Sequence, residues 1–341
     1  ESTLTVSPRG IIVNVAELSD PAWISRHFED YQWLGYFGAP SGWLEQKVTR
    51  PTLGRYRVCA QGVLAAKRYR ADVIVTQEPY TAIYTGAFLQ VAQLDIPHMA
   101  FAFTYTKLPT GARLRFARAA LRKVDRFVCF SDIERQRYAD YFHVPIEKID
   151  CLRWSVGEPS FDPSTPPTEE PPYLCAIGGE GRDYGTFVEA MRLLPELRAV
   201  IVARPDNLVG LDIPPNVTVH TNIPLEDVWN ITSHAKLMVL PITSTDVPCG
   251  HGTLIMAMQL RTPSIVTESA AMVDYADDGT TTLSCPPRDP GAMANVIQRL
   301  WHDDGLADRL AVNARRFAID ECGEERTVRY FRDYLRSHGL A

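Results

Sequence analysis

What this sequence lacks narrows its fold before any motif is read. None of its apolar runs approaches the ~18 residues that a membrane-spanning helix needs. Its first residues, Glu1 to Arg9, are polar and carry no signal-peptide apolar core. Its seven cysteines, at 59, 129, 151, 175, 249, 285 and 322, contain no Cys-x-x-Cys pair, and most sit in apolar runs such as FVCF and YLCAIG. They are therefore expected to be reduced core residues of a cytoplasmic protein, not a disulfide framework or a zinc site. Absent too are G-x-G-x-x-G, G-K-[ST], G-x-S-x-G and H-E-x-x-H, which removes the usual dinucleotide, P-loop, hydrolase and zinc-protease readings. Positive charge is in deficit: 35 Lys and Arg against 41 Asp and Glu leave a net charge of −6. A general nucleic-acid coat is excluded on that balance, and no cluster of side chains has the spacing of a metal cage.

What is present is ordinary globular material: 341 residues, 45% hydrophobic and 22% charged, enough for about two domains. The sharpest break in composition is 159–172, rich in Pro, Ser, Thr and Glu, which proline holds extended; it is read as a linker. It divides the chain into an N-terminal domain, 1–158, and a second domain, 173–320. A final segment, 321–341, is read as a helix whose apolar positions share one face, placed to cross back to the first domain.

The second half alternates short apolar strands (173–178, 198–203, 216–220, 236–241, 263–267, 281–285) with helical stretches (183–194, 225–234, 253–260, 270–276). The first half alternates less cleanly, with strands at 10–15, 72–76, 98–104 and 126–130 and helices at 55–69 and 114–124. Strand–helix alternation of this kind predicts parallel sheets covered on both faces. The expected architecture is α/β: two tandem doubly wound, Rossmann-like domains facing across a cleft, with ligands beyond the carboxyl ends of the strands.

Two glycine-rich turns lead from expected strands into expected helices. The first is Gly178-Gly179-Glu180-Gly181-Arg182-Asp183. Its glycines permit close approach of the backbone, a helix N-terminus offers free N–H groups, and Arg182 adds a permanent charge suited to phosphate oxygens. The bland alternative is a tight turn with Asp183 as N-cap and Arg182 on the surface. The second turn is Cys249-Gly250-His251-Gly252-Thr253, where Thr253 can cap the helix or donate to an anion and His251 is equally a ligand contact or a capping residue. Both turns are expected on one sheet edge, so they converge on one anion. In the first half, Glu17, Asp20 and His27 follow the first strand and Glu78 follows the strand 72–76; Asp20, His27 and Glu78 are the candidates for acceptor anchor or base. A cationic stretch, Arg113, Arg115, Arg118, Arg122 and Lys123, is read as a solvated helix face with an anionic membrane surface as the sharper alternative.

These residues resemble a glycosyltransferase of the GT-B fold, group 1 kind. GGEGRDYGTFVEAMRLLP is similar to the family's donor-phosphate turn. PCGHGTLIMAMQLRTPSIVTESAAMVDYADDGTTTLSCPPRDP is similar to its donor loop, helix, strand and following segment, and ALRKVDRFVCFSDIERQRYADYFHVPIEKIDCLRWSVG to the stretch before the linker. The resemblance implies sugar transfer from a nucleotide diphosphate sugar (UDP-, GDP- or dTDP-linked), without a metal or other cofactor. The nucleotide sugar would bind to the second domain, 173–320, and the acceptor, a saccharide, a lipid-linked saccharide or a small molecule, mostly to the N-terminal domain, 1–158. The location would be cytoplasmic or peripheral at the inner face of a membrane. It assigns the donor to Gly179, Gly181, Arg182, Gly250, His251, Gly252 and Thr253, with Arg182 and His251 as the catalytic pair. Departures accompany it. The family's two glutamates, eight residues apart, are missing: the second falls at Met256 and the first near Pro248. The lysine that follows the arginine is also missing. A non-catalytic sugar-nucleotide-binding subunit is therefore the alternative, with an epimerase of the same fold as a weaker third reading.

Overall fold

The structure is a computed structural model and describes residues 8–17, 22–38, 42–47, 53–105, 107–162, 164–170, 172–243 and 249–340. The chain divides into two compact units, one comprising Glu1–Leu152 with Thr327–Ala341, the other Arg153–Arg326.

The first unit runs β1 (Ile11–Ala16), α1 (Ala22–Ser25), β2 (Gln32–Phe37), α2 (Trp43–Lys47), α3 (Leu53–Tyr69), β3 (Val73–Gln77), α4 (Pro79–Val91), β4 (His98–Phe101), α5 (Gly111–Ala120), β5 (Arg126–Cys129), α6 (Asp132–Phe142) and β6 (Ile149–Cys151). The second runs β7 (Leu174–Ile177), α7 (Tyr184–Arg192), β8 (Ala199–Ala203), β9 (Val217–Thr221), α8 (Leu225–His234), β10 (Leu237–Leu240), α9 (His251–Gln259), β11 (Ser264–Thr267), β12 (Leu283–Cys285), α10 (Pro290–His302) and α11 (Asp304–Cys322). The last helix, α12 (Glu324–Ser337), has nearly all its length in the first unit.

Each unit contains one six-stranded sheet, β2-β1-β3-β4-β5-β6 and β12-β11-β10-β7-β8-β9, and every pairing is parallel. Parallel strands bury both faces, so β3, β7, β8 and β10 are buried along their whole length, as their Val, Ile, Leu and Ala content requires. Strand order fixes where each sheet can hold a ligand. In the first, β2 lies on one side of β1 and β3 on the other, so the winding reverses between β1 and β3. In the second it reverses between β7 and β10. Loops leave such a reversal point in opposite directions and open a crevice at the carboxyl ends of the strands.

One expectation is corrected below, that of a helix over 270–276. The division into units falls at Arg153, so the described part of the Pro-rich stretch is counted with the second unit. Asn230 on α8 fastens it, accepting from the Thr168 backbone N–H (2.7 Å) and donating to the Pro166 carbonyl (2.9 Å). The expected helix 270–276 is a run of turns; Met272 N–H and Tyr275 N–H bond back only to Ser269 and Met272 carbonyls.

α12 packs Val328, Phe331, Tyr334 and Leu335 into a first-unit core with Ile12, Val73, Val75 and Met99. Its polar edge is also anchored: Tyr330 Oη donates to Asp150 (2.7 Å) and Tyr334 Oη to Asp125 (3.1 Å). All seven cysteines are free thiols, five of them buried. Among the described residues no helix is long and apolar enough to cross a membrane.

Candidate functional site

In the second unit the chain leaves β7 at Gly178 and returns into α7 at Tyr184; it leaves β10 at Leu240 and enters α9 at His251. These neighbouring strands are the ones between which the winding reverses, so the two glycine-rich turns meet. The first is stitched to the chain beyond β10: Asp183 N–H donates to the Pro241 carbonyl and Thr243 N–H to the Gly181 carbonyl, both at 3.0 Å.

Arg182 lies between them. Its Nε donates to the Ile177 carbonyl (2.9 Å), Nη1 to the Glu180 carbonyl (2.7 Å) and Nη2 to Thr253 Oγ1 (3.0 Å). The guanidinium is mostly buried, and burial lowers its pKa from 12.5. Yet among the described residues it has no carboxylate within ion-pair distance; its partners are neutral oxygens. A desolvated, unneutralised cation is costly unless an anion completes it. Thr253, accepting from Arg182, keeps its own hydroxyl hydrogen to donate elsewhere.

The glycines are dictated by this arginine. Gly178 has φ +121°, and a side chain there would run into the guanidinium; Gly250 has φ +85°, and a Cβ would stand 3.1 Å from Nη1. Gly250 is also the N-cap of α9 and supplies no side-chain cap. Among the described residues no side chain caps the first amides of α9, from His251 to Thr253, which form a positive end. The entrance to α7 is different. Asp183 caps it, accepting Thr186 N–H at 3.0 Å and Thr186 Oγ1 at 2.7 Å. Of the two helix ends expected to converge on an anion, one is closed by a carboxylate and one is open. The bland reading of this turn holds for Asp183 and fails for Arg182.

His251 is neither a surface residue nor a cap. It is 7% exposed, its ring lies 4.2 Å from that of Tyr275, and Nε2 has no partner among the described residues. Burial pushes its pKa down to about 4, with nearby Arg182 acting in the same direction and a hydrogen bond with the Ala271 backbone opposing. It is a neutral imidazole at the base of α9. Gly179 is fixed by Asn207, whose amide donates to its carbonyl (2.7 Å), and Arg204 pairs with Glu180 on the surface (2.5 Å). Met256, at the place of a family glutamate, is 7% exposed in the apolar core.

The first unit's reversal point carries different chemistry. Glu17, just after β1, holds Arg55 of α3 in a two-pronged pair (2.8 and 2.7 Å). Its backbone N–H donates to Glu78 Oε2 (2.9 Å). Arg55 also lies over the Tyr80 ring at 4.4 Å. Glu78, between β3 and α4, has φ 71° and ψ 148°, a region left almost wholly to glycine. His27 is exposed and accepts from Arg26 Nε (3.3 Å). Asp20 lies outside the described residues. Sequence reading missed Arg55 and Tyr80; no local pattern marks them, since Arg55 meets Glu17 across 38 residues. The cationic stretch is partly consumed: Arg118 donates twice to the Tyr141 carbonyl, and Lys123 pairs with Asp95 (3.3 Å), while Arg113, Arg115 and Arg122 are exposed.

Comparison with known proteins bears on this geometry. The family described as Glycosyl transferases group 1 matches residues 175–303. An alpha-D-kanosaminyltransferase of Streptomyces kanamyceticus is 24% identical over 221 residues, 58% of this chain and 56% of that protein, so the match spans little more than half the relative's length. Among solved structures, a sucrose-phosphate synthase of Thermosynechococcus elongatus superposes with a TM-score of 0.74 at 16% identity, covering 96% of this chain and 98% of that one. Anabaena HepE in complex with UDP superposes with a TM-score of 0.71 at 13% identity, covering 96% and 99%. By fold this chain is a GT-B protein, and by family its second unit, over residues 175–303, is a group 1 glycosyl transferase domain.

Proposed function

We propose that the chain is a glycosyltransferase that moves a sugar from a nucleotide diphosphate sugar to an acceptor hydroxyl. The observation that carries this reading is Arg182: a largely buried guanidinium, unneutralised by any described carboxylate, beside the uncapped end of α9. In this reading the diphosphate sits against Arg182, the α9 amides and Thr253, with Gly179, Gly181, Gly250 and Gly252 permitting the approach. The bond from the anomeric carbon to the diphosphate oxygen breaks, and a bond from that carbon to the acceptor oxygen forms. The negative charge left on the diphosphate is met by donors already in place, which is worth most in a site closed to water. Positive charge from Arg182 and α9 makes the transfer metal-independent. The acceptor proton passes to the leaving diphosphate if configuration is retained, or to a protein base if it is inverted. His251, neutral and buried, supports the α9 end and does not carry the proton. UDP is the first nucleotide to try, since HepE is described in complex with it.

The test is a panel of UDP-, GDP- and dTDP-sugars, followed for release of nucleoside diphosphate with and without a chelator. Turnover that survives the chelator is expected. Binding without any release would favour the alternative of a non-catalytic sugar-nucleotide-binding subunit, for which Met256 in place of a glutamate is the supporting observation. The exposed Arg113, Arg115 and Arg122 keep an anionic membrane surface among the partners to test; sedimentation no greater with anionic than with neutral vesicles removes it.

A further inference from the structure

The chain enters the second unit at Arg153 and leaves it at Arg326. Both points are fastened to one carboxylate: Arg153 Nη1 donates to Glu321 Oε2 at 2.7 Å, and Arg326 Nη1 pairs with the same oxygen. Arg153 Nε also donates to the Asp274 carbonyl at 2.9 Å, one residue before Tyr275. The residues that follow Arg153 reach α9 at both of its ends. Trp154 N–H donates to Tyr275 Oη at 2.7 Å, and the Tyr275 ring lies 4.2 Å from that of His251, the first residue of α9. The Val156 carbonyl accepts from Gln259 Nε2 at 3.0 Å, and Gln259 is the last residue of that helix. Residues 153–156 are thus tied to α9 through one ring at its first turn and directly at its last.

Tyr275 is the joint in this arrangement. It is 1% exposed and stands in the run of turns after β11, in which Ala271 also holds His251 by a backbone hydrogen bond. Two rings in contact inside a densely packed core do not shift independently. Whatever fixes the first amides of α9 therefore restrains the Tyr275 ring, and with it the hydroxyl that receives Trp154. Coupling of this kind is reciprocal: loosening the Trp154 bond weakens binding at α9 by the factor by which that binding tightens the bond.

We infer that Tyr275 is a positioning residue for the diphosphate: its ring sets the place of His251 and of the first amides of α9, and its hydroxyl ties that place to the segment 153–156. The inference rests on the reading of α9 as the diphosphate site. A bare nucleoside, which brings no charge to α9, leaves the segment as it is.

Hydrogen exchange tests this, because the Trp154 amide exchanges only when its bond to Tyr275 opens. The protein is first titrated with UDP, GDP and dTDP, and exchange over 153–156 is then followed with the nucleotide that binds, with its nucleoside, and with neither. Saturating nucleotide should slow exchange at Trp154 at least fivefold, and saturating nucleoside by less than twofold. Tyr275→Phe keeps the ring and removes the hydroxyl. It should weaken the nucleoside diphosphate by about the same factor, leave the nucleoside within twofold, and abolish the slowing at Trp154. Should that variant unfold, the comparison of nucleotide with nucleoside on the unaltered protein decides alone. Unchanged exchange at Trp154 with nucleotide bound overturns the inference and leaves the sugar-transfer reading intact. Equal weakening of nucleoside and diphosphate in Tyr275→Phe also overturns it, since the residue then acts through the fold alone. Failure of all three nucleotides to bind removes the diphosphate site on which it stands.

Discussion

The two sheets reverse their winding in the same way, yet the residues gathered at the two reversal points balance charge differently. In the first unit Arg55 is met by both oxygens of Glu17, and a second carboxylate, Glu78, is tied to the Glu17 backbone. In the second unit Arg182 is surrounded by carbonyls and a threonine hydroxyl, with no described carboxylate in reach. An arginine satisfied by a carboxylate is a structural element; one held in place by neutral acceptors retains its charge for a guest. The crevice of the first unit is closed electrostatically. That of the second is one anion short.

The strongest way to break this contrast is to spoil the packing that positions Arg182. Gly178→Ala adds a methyl group that runs into the guanidinium at a φ of +121°, where side chains are strained. The expected cost is roughly 3 kcal/mol of stability from overpacking and strain together, read by denaturant unfolding, with nucleotide binding lost. Exchanging charge in each crevice sharpens the contrast. Glu17→Gln should cost roughly 2–3 kcal/mol, somewhat less than breaking a fully buried pair because both partners are slightly exposed, while nucleotide affinity stays within twofold. Arg182→Lys should do the converse. It keeps the charge but loses the fork, weakening nucleoside diphosphate binding by about 1.5–3 kcal/mol and leaving binding of the bare nucleoside unchanged. Equal losses for nucleoside and diphosphate would show that Arg182 acts through the fold alone.

Each unit also holds one buried neutral histidine. Burial lowers His251 to about 4 and His98 to about 3, against 6.5 for a free imidazole. The unfolded chain takes up these protons as pH falls through 6.5, and the folded chain does so only near 4 and 3. Stability should therefore decline between pH 6.5 and 4, by up to about 1.4 kcal/mol per pH unit for each ring. His251→Gln should remove about half of that slope, with denaturant midpoints against pH as the readout. The smallest effect is expected from Asp183→Ala, which uncaps α7. A loss of about 1 kcal/mol in stability is expected, with no loss of nucleotide affinity. A weaker diphosphate complex would mean that the α7 end takes part after all.

What the sequence made legible follows from periodicity and local chemistry. β7, β8, β10 and β11 stand within a residue or two of where short apolar runs place them, because a parallel strand buried on both faces is spelled as such a run. α4 was missed. PYTAIYTGAFLQV is apolar nearly all round, with a glycine and two threonines, so it has no polar face to give a period of 3.6. β2, QWLGYF, was missed because it is partly exposed and interrupted by Gly35. At the site, Arg182 and the glycines were readable because the turn that holds them is contiguous. The neutral partners of Arg182 among the described residues, the pairing of Glu17 with Arg55 and the placing of Tyr275 against His251 were not, since each depends on residues brought together only by the sheet.

The packing of α12 has a consequence for the order in which the protein is made. Phe331, Tyr334 and Leu335 complete a core whose other walls are Ile12, Val73 and Met99. A nascent chain emerges from its amino end, so the first lobe to leave the ribosome must wait, with an apolar groove uncovered, through the synthesis of some 170 intervening residues. The second lobe, assembled from one uninterrupted stretch, has no such delay.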